Sequence, residues 1–278
     1  MLVEALLPSL GSFRNRVVVV TGASSGIGRE TALLFARLGA RVALVARRRE
    51  LLEAVANEAR AAGGRALVAS ADVGDARAAR AAIGRVRRAW GRIDVLVNNA
   101  GVLRPAPVAR IKAGDLEAML RVNLFGPLFV TQSALPTLLR HRGGSVVNVA
   151  SLAGRRGITP LGGYCATKFA LVGLTEALRT EVAPDVLHVG VVLPGVVETP
   201  MVHGEQVEVL SDWPSQLNMP AEWVAAAIAL AVRFRLREVS VPPGAALMEE
   251  LGALMPGATD ALISWMTAAR RLIARVSS

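Results

Sequence analysis

The chain has 278 residues, of which 53 % are apolar, and a formal net charge of +10 at pH 7. This length favours one large domain, or one domain with an appendage, and the apolar fraction suffices for a large core. The single cysteine excludes an internal disulfide. Because no secretory signal and no apolar run of about 18–20 residues is found, we expect a cytoplasmic protein. The arginines are spread along the chain without an aromatic-interleaved basic stripe, which argues against nucleic acid as a partner.

Short runs rich in β-branched residues alternate with longer segments of helical spacing. The predicted strands are apolar almost throughout, and they span residues 16–20, 41–46, 66–70, 93–97, 145–149, 187–192 and 238–241. Helical patterns between them include residues 29–38, 50–62 and 76–90. Strands of this kind are buried on both faces, as in a parallel sheet covered by helices. The sequence therefore predicts an α/β fold with a doubly wound, mostly parallel, seven-stranded, Rossmann-like sheet.

The domain organisation follows from the same pattern. We predict a single Rossmann-like domain over residues 1–241. The core pattern does not require residues 242–278, which we predict to form a C-terminal helical extension.

A glycine-rich loop follows the first predicted strand directly. It has the sequence TGASSGIG over residues 21–28, and a helical pattern begins behind it. Glycines allow a tight turn and a close approach of the backbone to a ligand. The start of a helix offers free N–H groups and a positive dipole end, which suit a pyrophosphate. The spacing G-x-x-x-G-x-G differs from the common G-x-G-x-x-G dinucleotide fingerprint.

This loop resembles the cofactor loop of the short-chain dehydrogenase/reductase family, in its single-domain branch. Further stretches match that family in order: Asn98-Asn99-Ala100-Gly101, Val122-Asn123, Ser151, Tyr164-Cys165-Ala166-Thr167-Lys168 and Pro194-Gly195. The resemblance covers roughly residues 16–199 and implies an NAD(P)-dependent oxidoreductase that forms a homodimer or homotetramer. It also implies a set of cofactor contacts: Gly22, Ser24, Ser25, Gly26, Ile27, Gly28, Asp72, Val73, Asn99, Ala100, Gly101, Tyr164, Lys168, Pro194, Gly195, Val197 and Thr199.

The end of the second strand bears on the choice of cofactor. An acidic residue there holds the ribose hydroxyls of NAD, but this chain has Ala46, followed by Arg47 and Arg48. Guanidinium groups can bind a 2′-phosphate through a bidentate fork. We therefore expect NADP(H), with NAD(H) as the alternative. The competing interpretation is that the arginines merely open an exposed helix.

The only tyrosine of the chain lies four residues before one of its two lysines. Residues four apart on a helix share a face. Because a nearby ammonium favours the phenolate, we expect Lys168 to lower the pKa of Tyr164 toward neutrality. Ser151 is predicted to hold the substrate oxygen. By resemblance, Asn123 holds a water that relays protons to the lysine.

The reaction that follows is hydride transfer between a nicotinamide and a substrate carbon, coupled to proton transfer through Tyr164. The product and substrate are an alcohol and a ketone or aldehyde. A non-catalytic dinucleotide sensor on the same fold is the second hypothesis, although such proteins typically lose the tyrosine–lysine pair. Cys165 is expected to be a bystander.

Two C-terminal segments are less informative. The resemblance also implies a substrate loop at about residues 200–219, whose Trp213 and several apolar side chains would suit a medium-sized apolar substrate. His203 has no second ligand at matching spacing, so no metal is expected. The extension mixes apolar residues such as Trp265 with Arg270 and Arg271. Such a stripe is typical of packing against the domain or a partner subunit, which we favour, and also of peripheral membrane contact.

Overall fold

Seven strands form one parallel sheet in the computed structural model, which describes residues 7–141, 143–201, 219–245, 254, 255, 257 and 261. The spatial order is β3-β2-β1-β4-β5-β6-β7. The strands are β1 Val17–Thr21, β2 Arg41–Val45, β3 Arg65–Val68, β4 Val95–Asn98, β5 Gly144–Val149, β6 Leu187–Pro194 and β7 Glu238–Val241. Every adjacent pair runs parallel. The predicted doubly wound fold is confirmed.

Helices cover both faces of the sheet. They are α1 Gly26–Arg37, α2 Arg49–Ala61, α3 Ala76–Trp90, α4 Ala113–Leu120, α5 Gly126–Arg140, α6 Gly162–Glu181 and α7 Ala221–Phe234. A π turn, Arg121–Phe125, joins α4 to α5, and short 3₁₀ turns span Val108–Arg110 and Leu152–Gly154. Helices α1, α2 and α7 pack on one face, whereas α3, α5 and α6 pack on the other.

The apolar strands explain why both faces need cover. In β1, the side chains of Val18 and Val20 enter the core beneath α1, α2 and α7. Those of Val17 and Val19 enter the core on the opposite face. Successive side chains of a strand point to opposite faces, so a strand without polar positions is stable only between two layers of helices.

The helical run Ala113–Arg140 has the length and the mean hydropathy, 1.2, of a helix that could cross a membrane. It consists of α4, the π turn and α5. Length and composition alone are weak evidence, since a core helix passes the same test. The buried side chains of Met119, Val130 and Leu138 on this run favour a core helix here.

Several predictions fall on residues outside the described ranges. They include His203 and Trp213 of the substrate loop, and Trp265, Arg270 and Arg271 of the extension. The domain boundary at residue 241 stays a prediction.

Candidate active site

A large cleft lies at the carboxyl ends of the strands, with a volume of about 1080 Å³. The strand order reverses between β1 and β4, and ligands of open α/β sheets bind in the crevice at such a switch point. Ligand pockets usually measure about 300–1,000 Å³, so this cleft has room for a dinucleotide together with a small substrate. Of the residues predicted to bind cofactor or to act in catalysis, all but Gly28 and Asn123 line it.

The glycine loop forms one wall of the cleft. Gly22 and Gly26 adopt left-handed backbone conformations, with φ of +67° and +53°. A Cβ on Gly22 would lie 2.8 Å from the Cα of Ala100, and one on Gly28 would overlap the carbonyl oxygen of Gly22. The glycines are therefore required by the packing of the loop itself.

The start of α1 fits the phosphates of a dinucleotide. The side chain of Ser25, which precedes the helix, makes no capping hydrogen bond, and no acidic residue occupies the first turn. The first N–H groups of the helix have no side-chain cap, and they lie at the cleft wall formed by Gly26 and Ile27. An anion at this position would accept those hydrogen bonds and meet the positive end of the helix dipole.

Thr21 fixes the loop against the end of β4, and sequence reasoning missed this residue. Its Oγ1 accepts hydrogen bonds from the backbone N–H groups of Asn99, at 2.9 Å, and Ala100, at 3.1 Å. The Asn99 side-chain amide donates to the carbonyl of Thr21 at 3.0 Å. Asn99 lines the cleft as predicted, but its amide is committed to the protein. A threonine ending the strand before the glycine loop was the available signal.

The part of the cleft next to the end of β2 is basic. Ala46, Arg47 and Arg48 line it, and no carboxylate stands at the end of β2. The Nη2 of Arg48 donates to the hydroxyls of Ser24 and Ser25, at 3.1 Å in each case. Arg48 thus lies over the glycine loop. On the other side, Asp72 accepts a hydrogen bond from the N–H of Gly74 at 2.9 Å.

Tyr164 and Lys168 lie together on α6, as their spacing predicts. Lys168 is buried, its Nζ donates to the carbonyl oxygen of Val149 at 2.9 Å, and it lies 5.6 Å from the centroid of the Tyr164 ring. No carboxylate is among its hydrogen-bond partners in the described part of the chain. Burial consequently lowers the pKa of Lys168 to about 8.

The expected lowering of the Tyr164 pKa is wrong for this arrangement. Burial raises the pKa of the phenol to about 12, and a hydrogen bond with Ser151 acts in the opposite direction without reversing the shift. The Lys168 ammonium binds a main-chain carbonyl beside the ring, so its effect on the phenol does not outweigh the loss of solvation.

Ser151 connects the tyrosine to the strand ends. Its Oγ accepts from the N–H of Ala153 at 3.1 Å and donates to the carbonyl of Pro194 at 3.2 Å. Ser151 and Tyr164 both line the cleft, and the serine side chain is close enough to the phenol to act against the rise of its pKa, so the two hydroxyls share one part of the cleft wall. Two hydroxyls that converge in this way can hold one substrate oxygen.

Asn123 does not line the cleft. It is buried in the π turn, where its amide exchanges two hydrogen bonds with the backbone of Val102, at 2.8 and 2.9 Å, and donates to Thr167 Oγ1 at 3.0 Å. Thr167 in turn donates to the carbonyl of Tyr164 at 2.8 Å. Asn123 therefore clamps the segment after β4 to α6. Its side chain is fully engaged, and its role in holding a water stays a prediction.

The far end of the cleft is mainly apolar. Met219 ends the predicted substrate loop, whereas sequence reasoning missed the rest of this wall, which includes Leu103, Arg104, Leu152, Ile158, Leu161, Pro242 and Ala245. A signal existed for Leu103 and Arg104, because they come shortly after the Asn-Asn-Ala-Gly motif, with only Val102 between. The others come together only through the tertiary fold.

The fold, the cleft and the converging hydroxyls define a nucleotide-dependent oxidoreductase, and comparison with known proteins identifies its family. A family profile described as short chain dehydrogenase matches residues 16–208. The chain is 39 % identical to the 3-oxoacyl-[acyl-carrier-protein] reductase FabG of Thermotoga maritima over 186 residues, 67 % of this chain and 76 % of that protein. It is 34 % identical to the uncharacterized oxidoreductase YxnA of Bacillus subtilis over 260 residues, 91 % of this chain and 73 % of that protein.

Solved structures of short-chain dehydrogenases are also similar to this chain. A short-chain dehydrogenase from Burkholderia cenocepacia in complex with NADP has a TM-score of 0.76 and 32 % identity, with 85 % of this chain and 100 % of that chain covered. A relative from Burkholderia phymatum in complex with NAD has a TM-score of 0.78 and 26 % identity, with 86 % and 93 % covered. The chain belongs to the short-chain dehydrogenase/reductase family, and it is an NAD(P)-dependent oxidoreductase.

Replacing the buried lysine should stabilise the protein. A fall in the Lys168 pKa from 10.5 to about 8 corresponds to about 3 kcal/mol of unfavourable burial. The Lys168→Met substitution removes this cost and loses a hydrogen bond worth about 1 kcal/mol. We expect the free energy of unfolding at pH 7 to rise by about 2 kcal/mol.

The pH dependence of the stability gained by Lys168→Met tests whether the buried charge is the cause. Between pH 8 and 10.5 the unfolded chain retains a proton at Lys168 that the folded chain has lost, so wild-type stability rises with pH there. The advantage of the variant should be full below pH 8 and shrink from pH 8 to 10, as measured by urea unfolding. Lys112→Met, at the exposed second lysine, is the control and should change stability by less than about 0.5 kcal/mol. A gain that does not depend on pH would contradict the electrostatic explanation.

Proposed function

We propose that the protein interconverts a ketone or aldehyde and an alcohol with NADP(H), and that Tyr164 is the general acid and base. The observation that carries the proposal is the convergence of Tyr164, Ser151 and Lys168 at one point of the cleft wall. A nicotinamide held there would supply or accept the hydride. The assignment of Asn123 to the same machinery rests on its position against α6.

The raised pKa of Tyr164 suits the acid role. A phenol with a pKa of about 12 is protonated throughout the neutral range, so it can donate a hydrogen bond to a carbonyl oxygen and transfer its proton as negative charge develops there. Ser151 offers a second hydroxyl to the same oxygen. In the reverse direction, the phenol must first release its own proton to solvent, and the resulting phenolate, stabilised by Lys168, then takes the proton of the alcohol.

Lys168 provides positive charge beneath the phenol. With a pKa of about 8 it is mostly charged at pH 7. Its charge stabilises a phenolate formed when Tyr164 gives up its proton. Because the ammonium is buried, this interaction is stronger than it would be in water.

The residues proposed to hold the dinucleotide follow the cleft wall. The glycine loop and the start of α1 would hold the phosphates, while Asp72 and Val73 flank the adenine side. Pro194, Gly195, Val197 and Thr199 line the nicotinamide side. Preference for NADP(H) is supported by the missing carboxylate at Ala46 and by Arg47 and Arg48; among similar structures one holds NADP and another NAD.

The substrate end favours a medium-sized apolar compound, because Leu103, Leu152, Ile158 and Leu161 form its wall. An NAD-preferring alcohol dehydrogenase is the alternative within the family. A non-catalytic dinucleotide sensor is the alternative of another class, and the retained tyrosine–lysine pair argues against it.

A cytoplasmic location is proposed from the single buried cysteine. Recovery of the activity in the membrane pellet of fractionated cells would contradict this location.

The Tyr164→Phe substitution tests the catalytic assignment. Because general acid catalysis contributes about 10²–10⁴-fold, we expect kcat for ketone reduction to fall by that factor. Affinity for NADPH, measured by fluorescence titration, should stay within about threefold, which excludes misfolding. Cys165→Ala, at a neighbouring residue outside the cleft wall, should retain the activity. Undiminished reduction by Tyr164→Phe would refute the role of the phenol.

The Arg48→Ala substitution tests the cofactor preference. A hydrogen bond to a charged group contributes about 1.5–3 kcal/mol, so the ratio of kcat/KM with NADPH to that with NADH should fall by about 10–100-fold. Arg49→Ala is the matched control: Arg49 is exposed, lies outside the cleft wall and pairs with Glu53 at 3.7 Å. A wild-type enzyme with equal rates for both cofactors would contradict the proposal.

Members of this family act on small molecules and associate as oligomers, and we propose a homodimer formed by α5, the π turn and α6. Phe125 in the π turn is 43 % exposed, and Phe169 on α6 is 45 % exposed. The π turn packs against α6, so these rings belong to neighbouring elements on one side of the sheet. Phe125 also stacks on Phe129, with ring centroids 5.9 Å apart. Exposed aromatic side chains of this kind are enriched in protein interfaces.

The double substitution Phe125→Glu/Phe169→Glu tests the dimer. Two carboxylates in an apolar interface cost several kcal/mol, so sedimentation velocity should show a shift from dimer to monomer at micromolar concentration. Phe234→Glu, at an exposed residue ending α7, should leave the dimer intact. Dissociation by Phe234→Glu alone would instead place the interface at α7.

A further inference from the structure

Five charged side chains among the described residues line the cleft, and one of them stands apart. Arg47, Arg48 and Asp72 belong to the adenosine end, and Lys168 lies beneath Tyr164. Arg104 is the only charged side chain among the described residues that line the cleft beyond Tyr164. Its neighbours in that wall include Leu103, Ile158 and Leu161. A lone cation in an otherwise apolar wall calls for an explanation.

The backbone around Arg104 is held firmly. Val102 is clamped by both amide atoms of Asn123, and the N–H of Ala106 donates to the carbonyl of Pro160 at 2.9 Å. These contacts fix the segment that carries Arg104 to both the π turn and the chain just before α6. The main chain that carries Arg104 is therefore fixed at the cleft wall by the fold.

The ion pair of Arg104 does not account for the arginine. Its Nη1 lies 3.3 Å from Oδ1 of Asp115, and the side chains are 42 % and 37 % exposed. Such an exposed, single-contact pair contributes little to stability. A guanidinium has five N–H donors, and Asp115 itself does not line the cleft. Arg104 can thus bind an anion in the cleft while keeping Asp115 beside it.

We propose that Arg104 binds an anionic group of the substrate, a carboxylate or a phosphate monoester, at the far end of an apolar body. This inference rests on the proposed carbonyl–alcohol function and specifies its substrate class. The guanidinium fork matches both anions, and the apolar wall between Arg104 and Tyr164 would hold the intervening carbon chain. The competing explanation is that the Arg104–Asp115 pair only fastens the loop to α4.

Matched substrates test the proposal. We would measure kcat/KM for keto acids of six, eight and ten carbons, with the ketone beside the terminal methyl group, and for their methyl esters. The phosphate monoester of the eight-carbon keto alcohol distinguishes a phosphate from a carboxylate site. We expect the charged form to be preferred over its ester by about 10–100-fold at one chain length, mainly through KM.

Two substitutions separate the explanations. With Arg104→Met, the preference for the charged form should fall to about one. With Asp115→Asn, the preference should stay or increase, because the competing carboxylate is gone. If the pair were only a fastener, both variants would lower the rates for acid and ester by the same factor. Arg110→Met is the matched control, since Arg110 is exposed in the same segment and does not line the cleft.

The possible failures are distinguishable. Reduction of ketones without a preference for the charged form would overturn the proposal and leave the carbonyl reductase function intact. If no ketone were reduced, the proposed function would fail. Thermal stabilisation of the full chain by octanoate, compared with octan-1-ol, would then decide the anion site. Stabilisation by octanoate that is lost in Arg104→Met would support it, and its absence in the wild type would overturn it.

Discussion

The hydroxyl of Thr21 holds together the two strand ends between which the cleft opens. It donates to the carbonyl of Val97 at 3.4 Å and accepts from the N–H groups of Asn99 and Ala100. These bonds join the ends of β1 and β4, where the sheet reverses its strand order. The glycine loop can approach Ala100 so closely because Gly22 has no Cβ. The cofactor wall and the first residues of the substrate wall both start from this junction.

The buried ammonium of Lys168 is the main electrostatic cost of the site. Its hydrogen bond to the carbonyl of Val149 satisfies one of its three donors. A group held in this way reduces stability at neutral pH, which is typical of active sites whose geometry serves chemistry rather than folding. Burial acts on the two partners in opposite directions, raising the pKa of Tyr164 and lowering that of Lys168, so each is shifted toward its neutral form.

Sequence reasoning predicted what local patterns determine. The apolar strands required cover on both faces, and the four-residue spacing of Tyr164 and Lys168 required a shared helix face. The pKa of Tyr164 was predicted in the wrong direction, because the depth of burial and the carbonyl that binds Lys168 are set by the distant strand β5. The hydrogen bonds of the Asn123 side-chain amide to Val102 and to Thr167 on α6 were not predicted either. The Val122-Asn123 motif implies neither Val102 nor Thr167 as a hydrogen-bond partner.

The apolar wall of the substrate end shows why its composition could not be predicted. Leu103 comes from the segment after β4, Ile158 and Leu161 precede α6, and Met219 pairs with Val197 beyond β6. Pro242 and Ala245 join this wall from the chain that follows β7. The predicted boundary at residue 241 was drawn where the strand pattern ends, yet the next residues already contribute to the cleft. Pro242 and Ala245 therefore lie at the cleft, while the boundary at residue 241 stays a prediction.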